Sequence, residues 1–223
     1  MQTFTTPAAI TARVDIAAGD IRLVATDRTD TTVDVRPADP AKSRDTKAAE
    51  QVRVHYTDGV LHIETPTPGN RVLGDSGTVE ITVRLPFGSH VDARTAAGRL
   101  SGVGRLGDVT FEGAAATAEL DETAAARLTL QAGDITVNRL HGAAELRTLK
   151  GDITVTEAHR GTVTLHTQAG SLTIGAAHGT SATLDATTAF GRITNTLRNS
   201  VGADAPLAIR ADTAYGDITA RSL

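Results

Sequence analysis

The sequence predicts an all-β fold: a β-solenoid of the parallel β-helix type, with about seven short coils and an antiparallel β cap at its N-terminal end. Three observations carry this reading. A short phrase recurs, as AGDITV at 132–137, KGDITV at 150–155 and YGDITA at 215–220. Its apolar letters alternate with period two, as in Leu128, Leu130, Ile135 and Val137, whereas a helix needs a period of 3.6. Its glycine returns at an interval near twenty residues, the mark of units that must stack because one alone cannot bury a face.

Aligned on that glycine, the repeats are Gly98, Gly133, Gly151, Gly170, Gly191 and Gly216, with successive differences of 35, 18, 19, 21 and 25. The first difference holds two repeats, and the intermediate one fits near Ala116, where Ala118 and Leu120 stand in the phase of Ile135 and Val137. Each unit therefore reads as a strand such as ARLTL, a glycine corner, a second strand such as DITV, and a return loop such as NRLHGA. Val, Ile and Thr suit the pleated surface, and a corner that needs a left-handed backbone or close approach of two chains selects glycine. Parallel stacking at about 4.8 Å per coil gives seven coils a length of about 34 Å.

Three residues before each glycine stand Thr95, Leu130, Thr148, Thr167, Thr188 and Thr213, in phase with the buried apolar residues of their strands. The phase predicts an inward threonine ladder at Thr95, Thr148, Thr167, Thr188 and Thr213. Its hydroxyls would bond to one another along the stack or to the corner carbonyls, since a buried hydroxyl needs a partner.

Residues 1–90 read as an N-terminal β region and cap continuous with the solenoid, and residues 91–223 as the repeat solenoid. The first part alternates as strands in ITARVDI, DIRLVA, TTVDVR, QVRVHY, VLHIET and TVEITVRL, and AAGDIRL at 17–23 repeats the solenoid phrase. AKSRDTKAAE permits a short surface helix, and TPTPGNRVLGDSG at 65–77 reads as a loop open to proteases. The cap would protect the first coil's edge, which is otherwise a template for unwanted pairing. At the other terminus YGDITARSL ends with its strand. The C-terminal coil is therefore expected to be the free end of the stack, covered by the connection at 195–206 or by another molecule.

Composition excludes several function classes. The chain of 223 residues contains no cysteine, which removes zinc–cysteine sites and thiol nucleophiles. Its net charge is −4 and is spread evenly, with 10 basic against 12 acidic residues in 1–90 and 12 against 14 in 91–223, so no nucleic-acid surface is expected. Aromatic residues are 3% of the chain and Trp is absent, which leaves few platforms for stacking bases or sugars. No stretch approaches the ~18 apolar residues of a membrane span, and MQTFTTPAAI lacks a basic and apolar leader pattern. Direct membrane insertion is not expected, and the reading is cytoplasmic.

The GDITV-type repeats, the Thr-rich strands and the opening DIAAGDIRLVATDRTDTTVDVR resemble a bacterial family of β-strand-repeat domains of unknown function, often labelled putative adhesins. The resemblance runs from about Ile10 to Ala220. It implies a fold and brings no catalytic residues. Some relatives are tied to membranes or envelope stress responses, so it also implies an alternative location at the envelope, with an export or anchor segment missing here.

Three histidines share one register: His141, His159 and His178 each follow their glycine by eight residues. Stacked imidazoles are what a divalent metal would use, or they would repel once protonated below about pH 6. A recurring His-Gly turn accounts for the same spacing, and no carboxylate is expected in that column, so no metal or other cofactor is predicted. Asp134 and Asp152, directly after their glycines, read as a solvated face without the nine-residue repeat of calcium-binding rolls. Outward positions Asp92, Arg127, Glu145, Thr164, Asp185 and Arg210 mix signs, without the paired carboxylates of a glycosidase, and GTS at 179–181 lacks a nucleophile elbow. The expected function is a non-catalytic binding or assembly module, with an unidentified protein partner or self-association through the C-terminal coil.

Overall fold

The computed structural model describes residues 1–65 and 77–223, whose strands hydrogen-bond into one sixteen-stranded sheet. Apart from its two ends, the loop expected at 65–77 lies outside the described residues. The first part of the chain forms β1 (Gln2–Thr5), β2 (Thr11–Thr26), β3 (Asp30–Pro37), helix α1 (Ser43–Gln51), β4 (Arg53–Thr57) and β5 (Val60–Glu64). Residues 77–223 continue with β6 (Val79–Pro86), the 43-residue ribbon β7 (His90–Ala132), β8 (Ile135–Leu140), β9 (Ala144–Lys150), β10 (Ile153–Ala158), β11 (Gly161–Ala169) and β12 (Leu172–Ala176). They close with β13 (Ala182–Phe190), β14 (Ile193–Thr196), a 3-10 turn at Gly202–Asp204, β15 (Leu207–Tyr215) and β16 (Ile218–Ser222).

The fold is a β-solenoid in which each coil is two strands meeting at a corner. β2 is the first coil: its halves pair in parallel with two stretches of β7, from Thr11↔His90 to Ile16↔Thr95 and from Gly19↔Gly98 to Val24↔Val103. β7 then winds through a coil at 107–123, held by the Gly107 amide donating to the Ser89 carbonyl at 2.9 Å and the Ala118 amide donating to Asp134 at 3.0 Å. From there two parallel ladders run upward, β7–β9–β11–β15–β13 and β7–β8–β10–β12–β16–β14. Equivalent letters face one another, as in Ile135↔Ile153↔Leu172↔Ile218↔Ile193. Inward residues such as Leu128, Leu146, Ile153 and Val155 are fully buried, and each such side chain stabilises the fold by about 1.5–3 kcal/mol.

The last coil in sequence is not the last in space. β15 lies between β11 and β13, with Ile209 facing Val163 on one side and Leu184 on the other, and β16 lies between β12 and β14. The chain thus skips one level after β12, forms the outermost coil at 182–196, and returns through 197–206 to fill the level it skipped. This corrects the expectation that the C-terminal coil is the free end. The inward residues supply the reason. Asn195 stands where the other coils carry Val137, Val155, Ile174 and Ala220. An inner level would bury its amide without partners, at a cost of a few kcal/mol. Outermost, Asn195 is exposed and its Oδ1 accepts from the Leu197 amide at 3.0 Å.

The two ends of the stack differ. At the N-terminal end β5 and β6 lie parallel on the halves of β2, followed by antiparallel β4 on one side and β3 then β1 on the other. Phe4 of β1 meets Tyr56 of β4 with ring centroids 5.8 Å apart, closing the end. α1 is more than the surface piece its composition suggests, because Asp45 is buried and its Oδ1 accepts from the Thr78 amide at 2.9 Å. At the opposite end β13 and β14 each have one strand neighbour among the described residues, Leu184 and Ala186 are only partly buried, and Ile193 is 43% exposed. Their column mates Ile209, Ala211 and Ile218 are buried.

Candidate functional site

Ala116 apart, the corner column is built from glycines whose backbone leaves no room for a side chain. Gly133, Gly151 and Gly170 adopt φ of 129°, 147° and 155°, and a Cβ on Gly151 or Gly170 would lie 2.1 or 1.9 Å from the carbonyl oxygen of the glycine one coil below. Gly98 and Gly216 repeat this with Gly19 and Gly170, and a Cβ on Gly191, which lacks a positive φ, would lie 1.9 Å from the Gly216 carbonyl oxygen. The corner carbonyls therefore point along the stack, and the threonines satisfy them. Thr148, Thr167, Thr213 and Thr188 each donate at 3.1 Å to Gly133, Gly151, Gly170 and Gly216, while Thr95 donates to Ala97 at 3.0 Å.

The aspartates after the glycines bond between coils instead of forming a merely solvated face. Asp134 Oδ1 accepts from the Asp152 amide at 2.8 Å, Asp152 Oδ1 from Ser171 at 2.7 Å, and Asp217 Oδ1 from Arg192 at 2.8 Å. Each carboxylate satisfies a donor one coil above, a charge-assisted bond of the stronger kind. The GDIT phrase is thus a joint in which Gly permits the approach and Asp bonds the next amide, and at Gly151 and Gly216 the threonine ahead of the phrase, Thr148 or Thr213, bonds the carbonyl of the coil below.

His141 and His159 stack with centroids 4.7 Å apart, and His178 is exposed, with no ring contact to either among the described residues. Contrary to the sequence expectation, carboxylates share this column: His141 Nε2 lies 2.9 Å from Glu122, which also binds Arg139 at 3.0 Å, and Glu157 lies 3.6 Å from His159. Two carboxylates, Glu122 and Glu157, thus stand beside the stacked imidazoles. Among the described residues no three His, Asp or Glu side chains are arranged to hold a metal. Ser181 of the GTS string bonds Asn199 at 3.0 Å and accepts from the Ser200 amide at 2.9 Å, anchoring the returning connection.

The outer face of the ladder containing β9, β11 and β15 is laced across coils by the ion pairs Arg94–Glu112 at 3.4 Å and Arg127–Glu145 at 2.8 Å, and by the contact of His166 Nδ1 with Asp212 at 3.0 Å. The uncapped end differs in kind. Phe190, 66% exposed, stacks on Tyr215, 60% exposed, with centroids 5.0 Å apart and planes 5° from parallel. Sequence reasoning missed this pair. Its signal is the position before the glycine, which reads Ala97, Ala132, Lys150 and Ala169 on inner coils but Phe190 and Tyr215 on the outer two.

Comparison with protein-family models matches residues 88–221 to Toastrack DUF4097, a domain family of unknown function. The chain belongs to this family. The repeat-bearing coils from β7 onward fall within the match, whereas β1 to β6 of this Toastrack protein precede it. A crystal structure of a putative adhesin from Bacteroides fragilis NCTC 9343 is 12% identical, aligns over 98% of this chain and 95% of its own, and has a TM-score of 0.58. A putative adhesin from Parabacteroides distasonis ATCC 8503 is 16% identical over 100% and 95%, with a TM-score of 0.45. A putative cell adhesion protein from Clostridium sporogenes ATCC 15579 is 11% identical over 100% and 98%, with a TM-score of 0.40. At these identities the likeness is one of fold, and of the three the Bacteroides structure carries it. No curated protein matches the sequence. Among the described residues of the Toastrack chain no helix is long and apolar enough to cross a membrane.

Proposed function

We propose that this chain is a non-catalytic binding and assembly module that engages a protein partner through the uncapped coil at 182–196. The difference between its ends carries the reading. One end is closed by β1, β3, β4 and the Phe4–Tyr56 contact, whereas the other presents two strand edges, the partly open core residues Leu184, Ala186 and Ile193, and the Phe190 ring. Elsewhere the repeated Gly, Thr and Asp residues are used in joining coils, which leaves this end as the surface best suited to recognition.

A photo-crosslinking amino acid placed at Phe190 in the native cell tests this, with Thr57 at the capped end as control. Adducts are expected at position 190 and not at 57; equal labelling, or none at 190, contradicts the reading. A second reading, an envelope-associated adhesin-like protein, is supported by the fold likeness to the Bacteroides protein. Cell fractionation separates the two, since the first places the chain in the cytoplasm and the second with the envelope.

A further inference from the structure

We infer that the uncapped end is occupied by a second copy of this chain, joined edge to edge about a two-fold axis into a closed dimer. This rests on the binding-module reading above and names its partner. Covering the end requires a body that offers two strand edges at the separation of β13 and β14, with an apolar core between them. The 182–196 coil of another copy has that cross-section by construction. The capped end does not, because its outer strands are antiparallel and Phe4 and Tyr56 close it. Head-to-tail growth is thereby disfavoured, and a two-fold contact closes at two chains.

A two-fold axis perpendicular to the sheets sets β13 antiparallel to its copy and β14 antiparallel to its own, extending both ladders across the contact. Inward residues must stay inward, which restricts the register to shifts of two residues. Asp185 is the only charge on β13. A register that places Asp185 opposite itself sets like charges side by side, which is destabilising. With Ala186 on the axis, Asp185 instead faces Thr187 of the second copy, Leu184 faces Thr188, and Phe190 lies against Ala182. Nine residues of β13 at about 3.3 Å span ~30 Å, and two sheets about 10 Å apart with their outer side chains are ~20 Å wide. β14, with four residues, spans only ~13 Å. With about 10 Å of width for each strand, each copy buries about 430 Å², or ~900 Å² in total, the size of a weak, concentration-dependent interface.

The test uses the purified full chain. Light scattering during size exclusion is expected to give twice the chain mass, and Ala186→Lys, which sets two ammonium groups on the axis, is expected to give the single-chain mass. Because the protein has no cysteine, Ala186→Cys adds a second readout that survives any fold defect in the lysine variant. Mild oxidation is expected to link it into a covalent dimer far faster than Thr57→Cys at the capped end. A wild type that stays monomeric to its solubility limit, or an Ala186→Cys chain that links no faster than Thr57→Cys, overturns the dimer. If the Phe190 probe then still captures a different protein in the cell, the module reading stands and only the identity of the partner fails. If it captures nothing, both fail.

Discussion

Gly133→Ala is expected to lower stability by about 3–5 kcal/mol, at the upper end of what single substitutions do. The new Cβ would sit 1.8 Å from the Ala116 carbonyl oxygen and 2.7 Å from its carbon, and φ at this residue is 129°. An L-residue in left-handed backbone costs about 1–2 kcal/mol. The larger part comes from the overlap with backbone, which no rotamer change relieves; the two coils must separate, weakening the bond from the Ala118 amide to the Asp134 carbonyl across that gap and its neighbours. Gly179→Ala is the matched control, because Gly179 has φ of 75° with nothing within 4 Å of an added Cβ, and it should cost only about 1 kcal/mol. Denaturant unfolding of both variants measures the difference. Equal losses would mean that close approach at the corner is not what glycine provides.

Ile218→Ala should cost about 2–5 kcal/mol and Ile193→Ala under about 1 kcal/mol, although Ile218 lies five residues from the C-terminus. Ile218 is fully buried between Leu172 and Ile193, whereas Ile193 is 43% exposed on the outermost coil. A solenoid stacked in chain order would rank the two the other way, because its last coil would be the frayed one. Unfolding midpoints of the two variants decide between these orders.

What the sequence revealed and what it hid follow from the range of each interaction. The corners were legible because a positive φ and close approach are demands that glycine alone meets, and they recur at most levels, Ala116 and Gly191 being the departures. The inward phase of the threonines is local too, though which acceptor each hydroxyl takes depends on the coil below. Asp134 and Asp152 looked merely solvated because their acceptor role involves an amide 18 or 19 residues away. Coil order was the least legible feature. A repeat specifies a register that suits any level, so the level each coil takes depends on small departures from the repeat. Two were present, Asn195 in an apolar column and the longer connection after it. The aromatic pair does not depend on coil order, since Phe190 and Tyr215 hold the same position before their glycines on the last two levels and are neighbours in either order; what the order decides is that Phe190 is the outer ring.

Amide hydrogen exchange tests this order most directly. The C-terminal coil at 207–222, enclosed between two others, is expected to exchange more slowly than the coil at 182–196, with protection comparable to β11 and β12. In a dimer the outermost edge gains protection as well, so the comparison is made on the unmodified chain at concentrations where light scattering gives the single-chain mass. Fast exchange throughout 207–222 with strong protection of 182–196 would contradict the stacking order and, with it, the surface on which the functional reading rests.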